Sequence, residues 1–353
     1  MASIGSPVLF APASGPTGSG EYYRCLHIAR AIQTRQADRP IHVLLHRDAE
    51  VERDPAFTYH GLDDTPAKQR KPVARLIDEI KPALAVFDST GRQMQFKAVK
   101  RNGGRLAWIS NRPDKRLKAF RLQTLRLLDL HLILDSDRVK PRLSSIERWL
   151  LKLYPRVQVE FITAIAPEAA LPAIQADGSP EPQALFVSGG GGYVHRGQPV
   201  PDIFLKAAIQ FQAATGRSTA VVMGPQYRGA IRDHDKVQVI PTVSSVELSR
   251  LFQTARIAVI GAGNMLTGQA LTADNPACVL CAVGGQDQPN RVRQYADQQA
   301  VLVAELDAND LCKKACMLVD QPALAKSIKD HARAMGLKND TAAVAEHLLR
   351  LID

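Results

Sequence analysis

Short apolar runs alternate with longer amphipathic stretches from one end of the chain to the other. In the first half the runs cover 7–11, 41–45, 83–87, 105–109 and 130–134. They are continuous rather than alternating, the pattern of strands covered on both faces. Helical periodicity fills most of the gaps, over 21–35, 66–81, 92–101 and 116–128. The second half repeats the rhythm, with strand-like runs at 184–187, 219–223, 237–240, 257–260, 277–283 and 300–303 and a closing helical pattern over 322–352. Strands alternating with helices in this way predict an α/β fold with a parallel sheet covered on both faces, here twice over.

The length of 353 residues suits two domains rather than one. Pro167, Pro172, Pro180, Pro182, Gly178 and Ser179 mark a linker between them. The expected organisation is a Rossmann-like domain over 1–165, a linker over 166–182 and a second Rossmann-like domain with terminal helices over 183–353. Two such domains leave a cleft where the carboxyl ends of both sheets face each other, and ligands bind at those ends.

Composition places the chain among globular proteins, with 45% hydrophobic and 23% charged residues. No apolar run approaches the roughly 18 residues that span a bilayer, and residues 1–8 do not read as a secretory signal. The expectation is a cytoplasmic protein. Five cysteines, an odd number, suit free thiols in a reducing compartment. Cys278 and Cys281 have a zinc-like spacing, but they sit in an apolar run where alternation points them to opposite faces, so they read as part of a buried strand. The net charge of +10 is unevenly divided: residues 1–165 hold 28 Lys and Arg against 17 Asp and Glu, and the rest is nearly neutral. Two halves of such different character imply surfaces with different partners. Aromatics make up only 5% and do not interleave with the basic runs, which argues against nucleic acid.

Three glycine-rich turns each follow a strand and precede a helix: 14–21, containing Gly18 and Gly20; 188–193, containing Gly189, Gly190 and Gly191; and 261–269, containing Gly261 and Gly263. Glycine lets backbone approach an anion, and a helix start offers amides and partial positive charge, so a diphosphate suits all three. A nicotinamide-binding fingerprint fits poorly. Its third glycine would fall at Leu266, and the acidic ribose ligand about 20 residues on is missing.

The run Gly18-x-Gly20-Glu21-x-x-Arg24-Cys25-Leu26-x-Ile28-Ala29 resembles the signature of the nucleotide-sugar hydrolase of pseudaminic acid biosynthesis and its predicted-glycosyltransferase relatives. Val187-Ser188-Gly-Gly, Val222-Met223-Gly224-Pro225 and Ile260-Gly261-Ala262-Gly263 follow in the order of that family's later motifs. The layout is more distantly similar to the transferase that makes the lipid-linked disaccharide of peptidoglycan. The resemblance implies a GT-B fold and a nucleotide-sugar substrate. The hydrolase pattern has histidine where this chain has Glu21, its Gly-Gly-Ser-Thr becomes Gly263-Asn-Met-Leu266, and its ribose-gripping Glu becomes Gln269. Transferase and hydrolase both stay open. The departures favour a transferase moving sugar from a nucleotide diphosphate to an acceptor in bacterial-type surface glycan or glycolipid synthesis.

On this reading the second domain holds the donor. Gly263, Asn264 and Met265 present amides to the diphosphate, Gln269 reaches the ribose, and Gly189, Gly190 and Gly191, with Gly224, form the facing wall. Pro241 and Val243 lie along the base, and Asp287 and Gln288 lie near the sugar, where the resemblance puts an Asn-Gln pair. Glu21 is the candidate base, and Arg24, one turn on, steadies Glu21 or a phosphate. The leaving group is stabilised by amides, with no cofactor and no metal expected.

Two basic amphipathic stretches, 112–126 and 138–156, mix Arg and Lys with Leu, Phe and Trp. They predict docking on an anionic membrane surface at the inner face, through Arg116, Lys118, Arg121, Arg148 and Lys152, toward a lipid-linked or anionic acceptor.

Overall fold

The computed structural model describes residues 5–13, 15, 19–135, 142–168, 182–232, 234–273 and 275–353. They fall into two compact units: one takes residues up to 135, 142–165 and 340–353, the other 166–339.

The first unit runs β1 (Val8–Pro12), α1 (Gly20–Arg35), β2 (Ile41–His46), β3 (Thr58–Leu62), α2 (Arg70–Ile80), β4 (Leu84–Asp88), α3 (Gln93–Arg101), β5 (Arg105–Ser110), α4 (Pro113–Ala119), α5 (Leu122–Leu125), β6 (Leu130–Leu134), α6 (Ser145–Leu153) and β7 (Gln158–Ile162). Its sheet is ordered β3-β2-β1-β4-β5-β6-β7, and every neighbouring pair is parallel. All residues of β1, β4 and β6 are buried, as expected of central strands with helices on both sides. The two edge strands, β3 and β7, had no counterpart in the hydrophobic pattern. Each is partly exposed and carries polar residues, so neither forms an apolar run.

The second unit runs β8 (Ala184–Val187), β9 (Val194–His195), β10 (Gln198–Pro199), α7 (Val200–Thr215), β11 (Thr219–Val222), β12 (Val237–Ile240), α8 (Ser245–Thr254), β13 (Ile257–Gly261), α9 (Asn264–Thr272), β14 (Ala277–Cys281), α10 (Gln288–Asp297), β15 (Leu302–Ala304), α11 (Ala308–Asp320) and α12 (Pro322–Ala334). Its parallel sheet is ordered β12-β11-β8-β13-β14-β15, while β9 and β10 form a separate antiparallel pair. Alternation along β8 sends Ala184 and Phe186 into one core layer and Leu185 and Val187 into the other. The same alternation splits Cys278 from Cys281, each fully buried in a different layer, as the strand reading requires.

Two expectations change. The single helix expected over 116–128 is two short ones, broken where Phe120 closes α4 and Arg121 turns extended. Phe120 packs edge-on against His131, and Leu125 and Leu128 are also buried; a continuous helix is given up to seat all three. Residues 340–353, expected in the second domain, belong to the first unit. There α13 (Thr341–Leu349) packs on α1, and the Asp340 carboxylate accepts from the Thr163 amide at 2.7 Å and its hydroxyl at 3.0 Å. Most of the expected linker, 169–181, lies outside the described residues.

His27 on α1 and His131 on β6 are buried, and burial lowers the pKa of each to about 3. The unfolded chain takes up these protons near pH 6.5 and the folded chain does not. Stability is therefore full above the unfolded value and falls as pH drops toward the folded one, by up to about 1.4 kcal/mol per pH unit per histidine. Urea denaturation at pH 7.5, 6 and 5 should show this loss, and His27→Leu should make it shallower; an unchanged slope in that variant contradicts the account.

Candidate functional site

In the second unit the chain order reverses between β8 and β13, the position where open α/β sheets bind ligands beyond the strand ends. The turns leaving β8, β11, β13 and β14 meet there. A side chain at Gly261 would place its first carbon 2.2 Å from the Ser188 carbonyl oxygen, so backbone meets backbone at the switch point. Gly191 and Gly224 interlock beside it, both with positive φ, and a methyl group on either would lie 2.6 Å from a carbonyl oxygen of the opposing turn. The Gln226 amide donates to the Gly190 carbonyl at 2.9 Å, and the Gly224 amide to the Pro241 carbonyl at 3.0 Å. Arg291, buried on α10, donates to the Ala262 carbonyl at 2.8 Å and pairs with Asp287 at 2.8 Å.

Two hydroxyls here are buried without a hydrogen-bond partner among the described residues: Ser188 at the end of β8 and Thr267 on α9. Buried polar groups are ordinarily satisfied, and the exceptions often await a ligand or water. With Gly263 as N-cap, α9 brings its first turn to the same place, and such a turn leaves amides without intrahelical acceptors.

The first unit has its own switch between β1 and β4. There Arg24 of α1 grips Asp88 at the end of β4 through Nε at 2.6 Å and Nη2 at 2.8 Å, with both side chains fully buried. Burial pushes the Asp88 carboxyl up to about 6, and the paired guanidinium keeps it ionised at neutral pH. Next to it Ser89 holds φ 57°, a left-handed conformation uncommon for serine. Its hydroxyl reaches Asp88 at 3.1 Å and Asn111 at 2.8 Å, and the Asn111 amide donates to Glu21 at 3.4 Å. A polar chain thus runs Arg24–Asp88–Ser89–Asn111–Glu21 across the carboxyl end of the sheet. The buried Thr90 hydroxyl beside it has no partner among the described residues.

No protein-family model matches the sequence, and no curated protein matches it. Solved structures do. The spinosyn forosaminyltransferase SpnP aligns with TM-score 0.67 and 14% identity over 99% of each chain. The spinosyn rhamnosyltransferase SpnG complexed with thymidine diphosphate gives 0.62 and 14% over 97% of this chain and 100% of that one. Phytolacca americana UGT2 complexed with UDP-2fluoro-glucose and pterostilbene gives 0.64 and 12% over 98% of each. The fold is GT-B. Identities this low speak to architecture alone.

Within this GT-B chain several expected site residues are committed elsewhere. Arg24 gives its Nε and Nη2 to Asp88, while its charge also acts on Glu21, one of the two roles expected of it. Gln269 is buried, and its amide donates to the Ser245 carbonyl at 2.9 Å and the Ser249 hydroxyl at 2.7 Å, tying α9 to α8 instead of reaching for a ribose. Gln288 is buried, with its carbonyl taken by the Val283 amide at 2.6 Å, which closes the turn after β14. The Gly263 amide donates to the Gly261 carbonyl at 2.8 Å, so it does not face an anion. Arg116, expected on a docking surface, instead grips Glu147 through two bonds of 2.7 Å and lies over the Phe161 ring. Lys118 stands 3.7 Å from Asp114, whereas Arg121, Arg148 and Lys152 are exposed as expected.

Glu21 and Gly20 open α1, while Gly18, Arg138 and Lys140 lie outside the described residues. Gly189, Gly190, Gly191, Gly224, Asn264, Met265 and Asp287 all lie in the turns and helix starts that leave β8, β11, β13 and β14, and Pro241 and Val243 follow β12. Asp88, Ser89, Thr90 and Asn111 were missed, although an acid followed by Ser-Thr-Gly at the end of a buried run is a readable signal. The sequence also carries two Asp-x-Asp triplets, 135–137 and 233–235. Asp135 lies 3.8 Å from Arg116, while Ser136, Asp137 and Asp233 fall outside the described residues.

Asp88→Ala strands a buried guanidinium and should cost about 3–5 kcal/mol in urea denaturation, most of it recovered by pairing Arg24→Met with Asp88→Leu. If the single variant loses under about 1 kcal/mol, the pair is not the anchor described. Gly261→Ala should cost about 1–3 kcal/mol by overpacking; a wild-type melting temperature in that variant would refute the close approach.

Proposed function

We propose that this chain is a glycosyltransferase that moves a sugar from a nucleoside-diphosphate donor to an acceptor hydroxyl. The observation that carries the reading is the meeting of four glycine-bearing turns and the start of α9 at the switch point of the second sheet, beside the Ser188 hydroxyl, which has no partner among the described residues. That arrangement offers backbone amides and a helix dipole to a diphosphate. Thymidine diphosphate and UDP-2fluoro-glucose, bound by two proteins of the same fold, agree with it.

Asn264 and Met265 lead the amides that meet the diphosphate, and the Gly189–Gly191 turn lies against it with Gly224. Pro241 and Val243 border the base, and Asp287 stands toward the sugar. Glu21, half-buried and oriented by Asn111, takes the proton of the acceptor hydroxyl as that oxygen bonds to the anomeric carbon. The bond from that carbon to the diphosphate oxygen breaks, and its electron pair leaves with the nucleotide. The Arg24–Asp88 pair positions α1 and touches neither substrate. With amides and a helix start neutralising the leaving group, no divalent ion is needed.

The acceptor belongs to a surface glycan or glycolipid, lipid-linked or anionic, met at the inner face of a membrane. The excess of basic residues before position 165 supports this. The contact proposed is peripheral, and none of the described helices is long and apolar enough to cross a bilayer.

A calorimetric titration with uridine and thymidine diphosphates should show binding below millimolar, and silence with both overturns the donor site. Nucleotide-sugar turnover, with and without lipid extract, should require the extract; equal release of free sugar without it identifies a hydrolase. Glu21→Gln should reduce turnover at least a hundredfold while leaving nucleotide affinity within about twofold, and unchanged turnover removes Glu21 from the mechanism. Activity should persist in a chelator, whereas loss restored by magnesium or manganese refutes the metal-free leaving group.

A further inference from the structure

The basic stretch around α6 is turned in a way the sequence does not disclose. Glu147, the one acid on this helix, points inward. Ser144 caps the helix by accepting from the Glu147 amide at 3.2 Å, and the Glu147 carboxylate accepts from the Ser144 amide at 2.7 Å. Arg116 takes both oxygens of the same carboxylate. Burial opposes ionisation of Glu147, and the hydrogen bonds from Arg116 and Ser144 outweigh it, so its pKa lies below the ordinary value. Leu150, Leu151 and Tyr154 pack toward the core of the unit.

What remains outward is unusual. Ile146, Trp149 and Leu153 stand at i, i+3 and i+7, on one face of the helix, and all three are exposed, Trp149 to 58%. Leu117 on α4 and Leu122 on α5 are exposed as well. The exposed charges of α6, Arg148 and Lys152, are both cationic, and Arg121, Arg126, Arg142 and Arg156 are exposed on the flanking segments. An outward face of Trp, Ile and Leu on a helix whose exposed charges are both cations, with the exposed acid Asp114 of α4 held 3.7 Å from Lys118, matches an anionic bilayer, whose interface accepts the rings and aliphatic chains while its headgroups meet the cations.

We propose that α6 is an insertion element, with Ile146, Trp149 and Leu153 entering the interface of an anionic membrane and Arg148, Lys152 and Arg121 meeting its headgroups. This rests on the reading that the acceptor is met at a membrane. Arg116 has no part in it, because its role is to hold Glu147 inward and so keep the apolar stripe facing out.

The chain has two tryptophans, and Trp108 is only 4% exposed in the core, so a change of emission on lipid reports Trp149. The full chain is mixed with vesicles of phosphatidylcholine alone or with phosphatidylglycerol, at low and high salt, and both sedimentation and fluorescence are read. The expected result is salt-sensitive binding to the anionic vesicles, with a blue shift quenched by brominated lipid. Arg148→Gln with Lys152→Gln should weaken partitioning roughly 25-fold, about fivefold per cation. Ile146→Ser with Leu153→Ser should abolish the blue shift. Both double variants change exposed positions and should keep the parent's circular dichroism and its nucleotide affinity.

Sedimentation with anionic vesicles but no change at Trp149 overturns this face and leaves membrane association standing. No binding to either vesicle overturns both, while nucleotide-sugar turnover in solution still decides the glycosyltransferase reading separately. A blue shift that grows with protein concentration in the absence of lipid assigns the face to a second copy of the chain and overturns the proposal.

Discussion

A guanidinium removed from water must find a carboxylate, and in the first unit that requirement organises the carboxyl end of the sheet. Arg24 meets Asp88 with two parallel hydrogen bonds, both side chains fully buried. A fork gripping a fork fixes direction as well as distance. The helix α1 can neither slide along β4 nor rotate against it without breaking both bonds. Glu21, one turn earlier, inherits that fixed position. So does Ser89, whose left-handed backbone is held by the strand before it and by hydrogen bonds to both Asp88 and Asn111.

The second unit reaches comparable rigidity by leaving side chains out. Its turns are held at backbone distance, carbonyl against α-carbon, at Gly261, Gly191 and Gly224. The space a side chain would have occupied is taken by the backbone of the opposing turn, which leaves a surface built of main-chain groups. The side chains that do lie nearby brace this surface. Arg291 clamps the loop after β13, Gln288 the loop after β14, and Gln269 joins α9 to α8.

The sequence made the central strands legible because a parallel strand covered on both faces has to be a continuous apolar run. It hid β3 and β7, because edge strands answer to one neighbour and to water, and their composition shows neither period. The glycine turns were readable as turns, since few other residues tolerate the backbone they need. The roles of Arg24, Gln269 and Arg116 were not. Each is a polar residue in a motif or a basic stretch, and only tertiary packing decides whether it faces a ligand or a buried partner. Asp88 and Asn111 lie some sixty and ninety residues from α1, and pairings of that range leave no local pattern.

The return of α13 to the first unit bears on the order in which this protein can be made. Strands β1 to β7 leave the ribosome early, yet the helix that packs on α1 and the Asp340 that ties down Thr163 come after the whole of the second unit. The second unit can therefore close over its own core while the first still lacks a piece of its surface. Vectorial synthesis favours units whose parts arrive together. Here the unit begun before the other is completed after it, and α1, which carries Glu21, gains this packing partner only when α13 has emerged.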